Sequence, residues 1–480
     1  MPQSYFLRAL ALTKQGDIEG AIYNYCQAVS LDRSYGQAYN NMALLLLQQG
    51  KIWEAEVMLR QAIELNGADG KAHHNLALVF MEKGDLTAAR DCFIRALQCG
   101  EESSTFYNNW GLYYWEIGCS NAAEAAFCQA ISLDEIYVEA YYNLANLLRE
   151  QQRVDEAEQY LIKAVTIAPA YKEAQFALSL IYLLQGRFQV AWPLYESFRM
   201  KHSGHRPPLP LWQGEALRGK RVLLFYEQGF GDTFQFLRFA PLLAAQASEI
   251  SLWLPEAMRG IQLLDESIPL YYSSSVTQQR FDFCCPLPSL PAVLKIDEAT
   301  IPRTVPYLAV STDLQEKWRL RLAAEGRPEQ MRIGFVWAGN PQHHNDRNRS
   351  IPAELFRPLL LIKNTEWISL QIGPRSNEGA GLPAFLDFTS ELTDFSQTAA
   401  LISQLDLVVT VDSAVAHLAG ALGKKTWVCI PYDPDWRWQY QRTDSPWYPS
   451  IKLFRQQQPG IWENIIACLQ QEIIAETGKK

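Results

Sequence analysis

Four short stretches of this chain combine carboxylates, arginines, glycines and hydroxyls at spacings suited to a phosphate or a sugar hydroxyl. The first is Glu227-Gln-Gly229-Phe-Gly231-Asp232. It follows the apolar run Lys220 to Tyr226, which reads as a buried parallel strand, and it opens a helix. Glycines there let the backbone approach a ligand at the carboxyl edge of the sheet, where open α/β folds bind. Asp232 then lies in the first helical turn, either as a proton acceptor facing that edge or as a cap for free backbone donors. The second stretch is Asp412-Ser413, between the strand Leu407 to Val411 and the helix Ala414 to Lys424. Free N–H groups and the positive end of the dipole make such a helix start a diphosphate site. Ser413 and His417 are four apart and share a face, so His417 is a candidate ligand for a phosphate or a sugar hydroxyl, or else a satisfied structural histidine.

The third stretch, Trp337-Ala-Gly339-Asn340 with Arg347 and Arg349 downstream, is a polar, cationic loop after the strand Met331 to Trp337. Forked guanidinium donors there suit phosphate recognition. In the fourth, Asp433 and Asp435-Trp436-Arg437-Trp438 precede Arg442 and Ser445-Pro-Trp447-Tyr448. Aromatic faces with an embedded arginine suit stacking on a nucleobase or sugar. Asp433 and Asp435 alone are a thin ligand set for a divalent cation. The pairs His343/His344 and His202/His205 lack a companion cysteine or carboxylate cluster, so no metal is expected.

The elements that must position these residues fall into two regimes. Through the first 200 positions a small residue recurs at 34-residue steps. Gly16, Gly50, Gly84, Gly118 and Gly186 share one register, with Gln152 in the gap. Ala21, Ala55, Ala89, Ala123, Ala157 and Ala191 share a second, and Ala28, Ala62, Ala96, Ala130 and Ala164 a third. Small residues at this period, where helices cross, are the signature of tetratricopeptide (TPR) repeats, which stack into a solenoid with a concave binding surface. Asn41, Asn75, Asn109 and Asn143 recur on the expected inner helices, where amides could grip an extended peptide or merely follow the repeat consensus. A Pro/Gly-rich connector follows, and strands then alternate with helices in two tandem parallel-sheet units. The expected division is residues 1–200 as six repeats, 201–218 as linker, 219–325 as a first α/β half and 326–480 as a second.

Composition narrows the function classes. The 480 residues are 48% hydrophobic and 20% charged, which is ordinary for a soluble globular chain. A net charge of −9 argues against a general nucleic-acid binder, though not against a nucleotide in a local basic pocket. The nine cysteines show no Cys-x-x-Cys pair, so reduced thiols in a cytoplasmic protein are the expectation. No apolar run reaches the ~18 residues that span a bilayer.

Taken together, Gly229-Phe-Gly-Asp232, Trp337-Ala-Gly-Asn340, Asn345-Asp-Arg-Asn-Arg-Ser350 and Val411-Asp-Ser-Ala-Val-Ala-His-Leu-Ala-Gly-Ala-Leu-Gly-Lys424 resemble a glycosyltransferase family 9 (heptosyltransferase-like) module. The whole is similar to bacterial proteins that fuse TPR repeats to such a module, and the domain order also resembles protein O-linked N-acetylglucosamine transferase. The resemblance implies a GT-B fold of two Rossmann-like halves, with the nucleotide sugar held by the second as a substrate rather than a cofactor. It also implies metal-independent transfer with inversion. On that footing Asp232 matches the family's candidate base, and Ser413 and His417 match its donor-diphosphate helix. Asp412, Asn340, Arg347, Arg349, Trp436 and Arg437 are expected around the donor, with Gly229, Gly231 and Gly339 lining the cleft. The first half is shorter than in heptosyltransferases, and no lysine matches the one those enzymes set near the phosphates; Arg347 or Arg349 stands in its place. Two functions follow: sugar transfer to an acceptor, such as a protein, recruited by the solenoid, or a catalytically silent scaffold or nucleotide-sugar-gated adaptor.

Overall fold

The computed structural model describes residues 1–202, 206–272, 280–343 and 345–478, the side chains of 200–202 excepted. The chain divides into two compact units, Met1–Tyr171 and Lys172–Lys480. His205 and His344 lie outside the described residues.

The first unit is a TPR solenoid of five helix pairs, from Pro2–Gln15 with Ile18–Leu31 to Val138–Glu150 with Val154–Ile167. The two alanine registers explain the packing. Ala21, Ala55, Ala89, Ala123 and Ala157 are wholly buried, as are Ala28, Ala62, Ala96, Ala130 and Ala164. A methyl is the largest side chain that lets these helix axes approach so closely, and larger residues such as Phe93 and Phe127 fill the space between. The glycine register, expected at the same crossings, serves another purpose. Gly16, Gly50, Gly84 and Gly118 sit at the turn inside each repeat with φ between +71° and +80°, a left-handed conformation that terminates the first helix. Gln152 takes φ +61° in the same place, so the turn survives without glycine.

The asparagine register is also committed inside the solenoid. The Nδ2 group of Asn75 donates to Asn40 Oδ1 at 2.8 Å, and that of Asn143 to Asn108 Oδ1 at 2.9 Å. Asn109 Nδ2 meets His74 Nε2 at 3.0 Å, and Asn41 Nδ2 donates to Tyr25 at 3.3 Å. Each of the last three residues therefore clasps the neighbour of its own equivalent one repeat earlier. Asn75 is buried, and the other three are half-buried. The register expected to grip a peptide has at least one donor per residue spent on holding repeats together.

In the second unit the strands are β1 (Arg221–Phe225), β2 (Glu249–Trp253), β3 (Gln262–Leu263), β4 (Leu270–Tyr271), β5 (Phe283–Pro286), β6 (Leu308–Ala309), β7 (Met331–Val336), β8 (Thr365–Ser369), β9 (Leu386–Asp387), β10 (Leu407–Val411), β11 (Thr426–Ile430) and β12 (Ile451–Arg455). They form a parallel sheet of order β4-β2-β1-β5, a parallel sheet of order β12-β11-β10-β7-β8-β9, and the antiparallel pair β3-β6. β1 and the fully buried β10 are short Val/Leu-rich runs, as strands covered on both faces must be. In each large sheet the chain reverses its direction of growth beside the first strand, at β1/β5 and at β7/β10, and such switch points open crevices at the strands' carboxyl ends. The loops after β1, β7 and β10 therefore hold the first three candidate stretches.

Two boundaries differ from expectation. The sixth repeat, Lys172–Leu184 and Phe188–His202, belongs to the second unit, so the division falls one repeat before residue 200. Part of the expected linker pairs with the sheet: Leu211 bridges Cys284 of β5, and Trp212 N–H donates to the Cys284 carbonyl at 2.9 Å. After β2 a single 3-10 turn forms at Glu256–Met258. Gly260, at φ +88° and closely faced by Ser396, turns the chain there, and β3 follows.

Candidate functional site

Asp232 is the third residue of the helix Phe230–Phe236. Its Oδ2 accepts the Gly229 N–H at 3.1 Å, and its Oδ1 pairs with the Arg437 guanidinium. Asp232 thus caps the helix with one oxygen and faces the other half of the unit with the second. Arg437 reaches it from the loop after β11, donating also from Nε to Gln235 Oε1 at 2.8 Å and from Nη1 to Asp435 Oδ1 at 2.9 Å. Burial alone would raise Asp435, but Arg437 outweighs it and holds that carboxyl below its ordinary range. Asp412, at the tip of β10, is pushed up to about 6, first by lost hydration and then by the Asp435 charge, against the pull of Arg349.

Ser413 begins the helix Ala414–Ala421 with no side-chain cap; its hydroxyl meets Thr410 Oγ1 at 3.1 Å instead. That helix start, which has no side-chain cap, thus follows a carboxyl that takes up its proton near pH 6. His417 lies deeper. Its Nδ1 meets the Tyr448 hydroxyl at 3.0 Å, its ring stacks on Trp438 with centroids 5.2 Å apart, and a Cβ on Gly231 would come within 2.9 Å of its Cδ2. Burial, with Arg437 adding to it, pushes its pKa down to about 3, so the ring is neutral. The structure places His417 in the seam between the two helices rather than at an open ligand surface. Gly231, expected to bring backbone near a ligand, brings it against that histidine.

The loop after β7 is built around a buried carboxylate that sequence reasoning passed over. Asp346 accepts from Ser350 Oγ at 3.0 Å and from Arg375 Nη1 at 3.0 Å, with Arg349 Nε 3.5 Å away. Gly339 is required here, because a Cβ would meet Asp346 Oδ1 at 2.6 Å and Arg349 at 2.7 Å. Arg349 is thereby fixed where it bears on Asp412, whereas Arg347 and Asn340 are exposed at the rim. Trp436, expected as an open stacking face, is 5% exposed and packs edge-on to Trp192 and Trp447. Gly229 is exposed at the loop apex.

A further residue without a signal in the sequence is Arg238. It is buried, donates to Tyr307 at 3.0 Å and to the Trp447 carbonyl, and lies 4.4 Å over the Tyr448 ring. Among the described residues no carboxylate pairs with it, so it leaves positive potential beside the His417 helix. Among the described residues, too, no group of three His, Cys, Asp or Glu gathers around a cation position. No described helix is long and apolar enough to cross a membrane.

The deciding stretch is the one through β10, Asp412, Ser413 and the His417 helix. Residues 391–429 match glycosyltransferase family 9 (heptosyltransferase). TPR models match residues 9–50, 40–104, 104–137 and 138–171. The chain therefore carries TPR repeats and a segment that matches family 9. The Asp232 and Arg437 loops fall on either side of that segment and outside the match. Protein FlbA of Caulobacter vibrioides is 25% identical over 320 residues, covering 60% of this chain and 52% of that protein. The chain thus spans about half the length of this curated relative. Among solved structures, that of Pseudomonas aeruginosa pilF is 22% identical over 37% of this chain and 79% of its own, with a TM-score of 0.34. YrrB, a TPR protein with an unusual peptide-binding site, is 20% identical over 37% of this chain and 93% of its own, at 0.30.

The seam beside the family 9 segment gives a direct prediction. Gly231→Ala would force its methyl onto a histidine ring held by Trp438 on one side and Tyr448 on the other. We expect it to lower the stability of the second unit by about 2 kcal/mol, the usual scale of overpacking. Denaturant unfolding followed by tryptophan fluorescence checks this, and an unchanged midpoint would show that the ring can shift.

Proposed function

We propose that this protein transfers a sugar from a nucleotide-sugar donor to an acceptor hydroxyl, with the TPR solenoid recruiting the acceptor, a protein or peptide. The observation that carries this reading is the meeting of the Asp232 carboxylate with Arg437, beside the helix start at Ser413 that has no side-chain cap. Asp232 would take the proton of the attacking hydroxyl as it adds to the sugar. The uncapped N–H groups at Ser413, with Arg437, Arg349 and the field of Arg238, would receive the charge that builds on the departing diphosphate. On this reading each of the proton and the leaving group has a group of this chain to receive it, and the transfer is that of a metal-independent, inverting GT-B enzyme.

A second reading, a silent or nucleotide-gated adaptor, is favoured by one observation. Both Asp232 oxygens are already engaged, and Gly231 closes the seam over His417 and Ala414. The two readings separate on a panel of UDP, GDP, ADP and CMP with the full chain. On the enzyme reading one of them raises the melting temperature by a few degrees, since a ligand at about 100 times its Kd adds about 2.7 kcal/mol. The same nucleotide's sugar conjugates should then turn over. Binding without turnover on any acceptor supports the gated adaptor, and binding of no nucleotide overturns the proposal.

A further inference from the structure

By its period, the helix Phe188–His202 is the closing half of the last repeat, yet its buried side chains reach the two loops that meet at Asp232. Arg199 is 5% exposed. Its Nε and Nη2 donate to Glu196 at 2.8 Å each, Nη2 also contacts Ser289, and Nη1 contacts Glu227, whose side chain is 6% exposed. Ser289 in turn donates to Glu196 at 2.7 Å. Glu227 and Gln228 are the residues that lead from β1 into Gly229 and Asp232. One turn earlier on the helix, Tyr195 is buried, its hydroxyl faces the Gln228 side chain, and its ring lies 6.2 Å from that of Trp436. Trp192 adds a second edge-on contact with Trp436 at 5.7 Å. Trp436 is itself the platform under Arg437, whose guanidinium lies 4.4 Å over its ring.

One helix therefore braces both sides of the Asp232–Arg437 pair. A buried guanidinium shared by two carboxylates adds little stability over apolar packing of the same volume, so what it contributes is a fixed position. The Tyr195 hydroxyl could be replaced by a hydrogen atom at almost no cost in volume, and it points at Gln228 and toward the charges of Arg437 and Asp232.

We propose that Tyr195 and Arg199, carried by the last repeat helix, are positioning residues of the transfer site: Arg199 fixes the loop that presents Asp232, and Tyr195 fixes that loop and the turn that presents Arg437. The consequence for catalysis rests on the reading of Asp232 as base; the consequence for loop order does not. The solenoid's last repeat is then part of the site itself.

The test uses full-length Tyr195→Phe and Arg199→Lys, with Asp232→Asn alongside. Hydrogen exchange should quicken about tenfold at residues 227–232 and stay unchanged in the sheets, as local opening without global unfolding requires. Donor turnover should fall about tenfold in kcat with KM for the donor nearly constant, the mark of an interaction made in the transition state. A purely structural role would instead lower the melting temperature and speed exchange throughout the unit, and that result overturns the proposal. So does unchanged exchange at 227–232, or faster exchange with kcat intact. Should Arg199→Lys fail to fold because Glu227 and Glu196 lose their fork, Tyr195→Phe decides alone. Full turnover in Asp232→Asn would sink the base assignment and leave loop order to be judged by exchange. If no donor turns over, exchange again decides.

Discussion

Asp232→Asn is expected to slow sugar transfer about 100- to 1000-fold while leaving nucleotide affinity within about threefold, the usual scale for losing a general base. The reason lies in what the substitution keeps and removes. An amide matches the carboxylate in shape, so the Phe230–Phe236 helix and its contact with the His417 helix stay in place. It cannot accept a proton at neutral pH. It also presents an N–H₂ toward either Gly229 N–H or Arg437, since both carboxylate oxygens now accept bonds. One of those bonds must be lost, at a cost of about 1 kcal/mol. The folded fraction therefore has to be measured with the rate. Single-turnover transfer under saturating donor, together with nucleotide titration, checks the expectation. Wild-type rates would remove Asp232 from the chemistry, and a collapse of nucleotide affinity would assign it to donor binding.

Much of this arrangement was legible in the residues, and the part that was not has a common physical cause. The alanine registers declare helix crossings because nothing larger than a methyl fits there, and a 34-residue recurrence of that constraint has few other origins. Asp232 was visible because a strand, two glycines and an acid in sequence are local. Its partner was not: Arg437 lies 205 positions away, and no local pattern states that a guanidinium in an aromatic loop will cross to that carboxylate. Gly231 and Trp436 show the same limit from the other side. A glycine that meets a histidine ring and one that meets a ligand look identical in sequence, since both sites merely forbid a Cβ. An aromatic cluster with an arginine looks the same whether it is open or, as here, covered by Trp192 and Tyr195. The asparagines carried a third ambiguity. Their amides could have faced a peptide, and what claims them is the residue one position before their equivalents, at 40, 74 and 108.

That ladder yields the second large expectation. At its middle rung, where Asn40 and Asn108 occupy the neighbouring repeats, stands His74. Its pKa is pushed down to about 4 by burial, against a smaller opposing pull from Glu101. The unfolded chain, with a histidine near 6.5, therefore binds the proton first as pH falls. Stability of the first unit is full above pH 6.5 and declines by about 3 kcal/mol as pH drops to 4, because protonation must either be refused by the folded state or break the Asn109 contact. In the second unit His417 acts in the same sense, with its pKa near 3. Asp412 acts oppositely there: raised to about 6, it binds protons in the folded state before the unfolded state does, and it offsets the loss between pH 6 and 4. The first unit is thus the cleaner probe. His74→Asn supplies at this rung the group already used at the rungs on either side, accepting from Asn109 through an amide oxygen that does not titrate. It should leave stability at pH 7.5 nearly unchanged and abolish most of the acid loss between pH 6.5 and 4. Denaturant unfolding of the full chain across that range, read by helix circular dichroism, measures it. A slope equal to the wild type's would show that the buried imidazole is not the group that titrates.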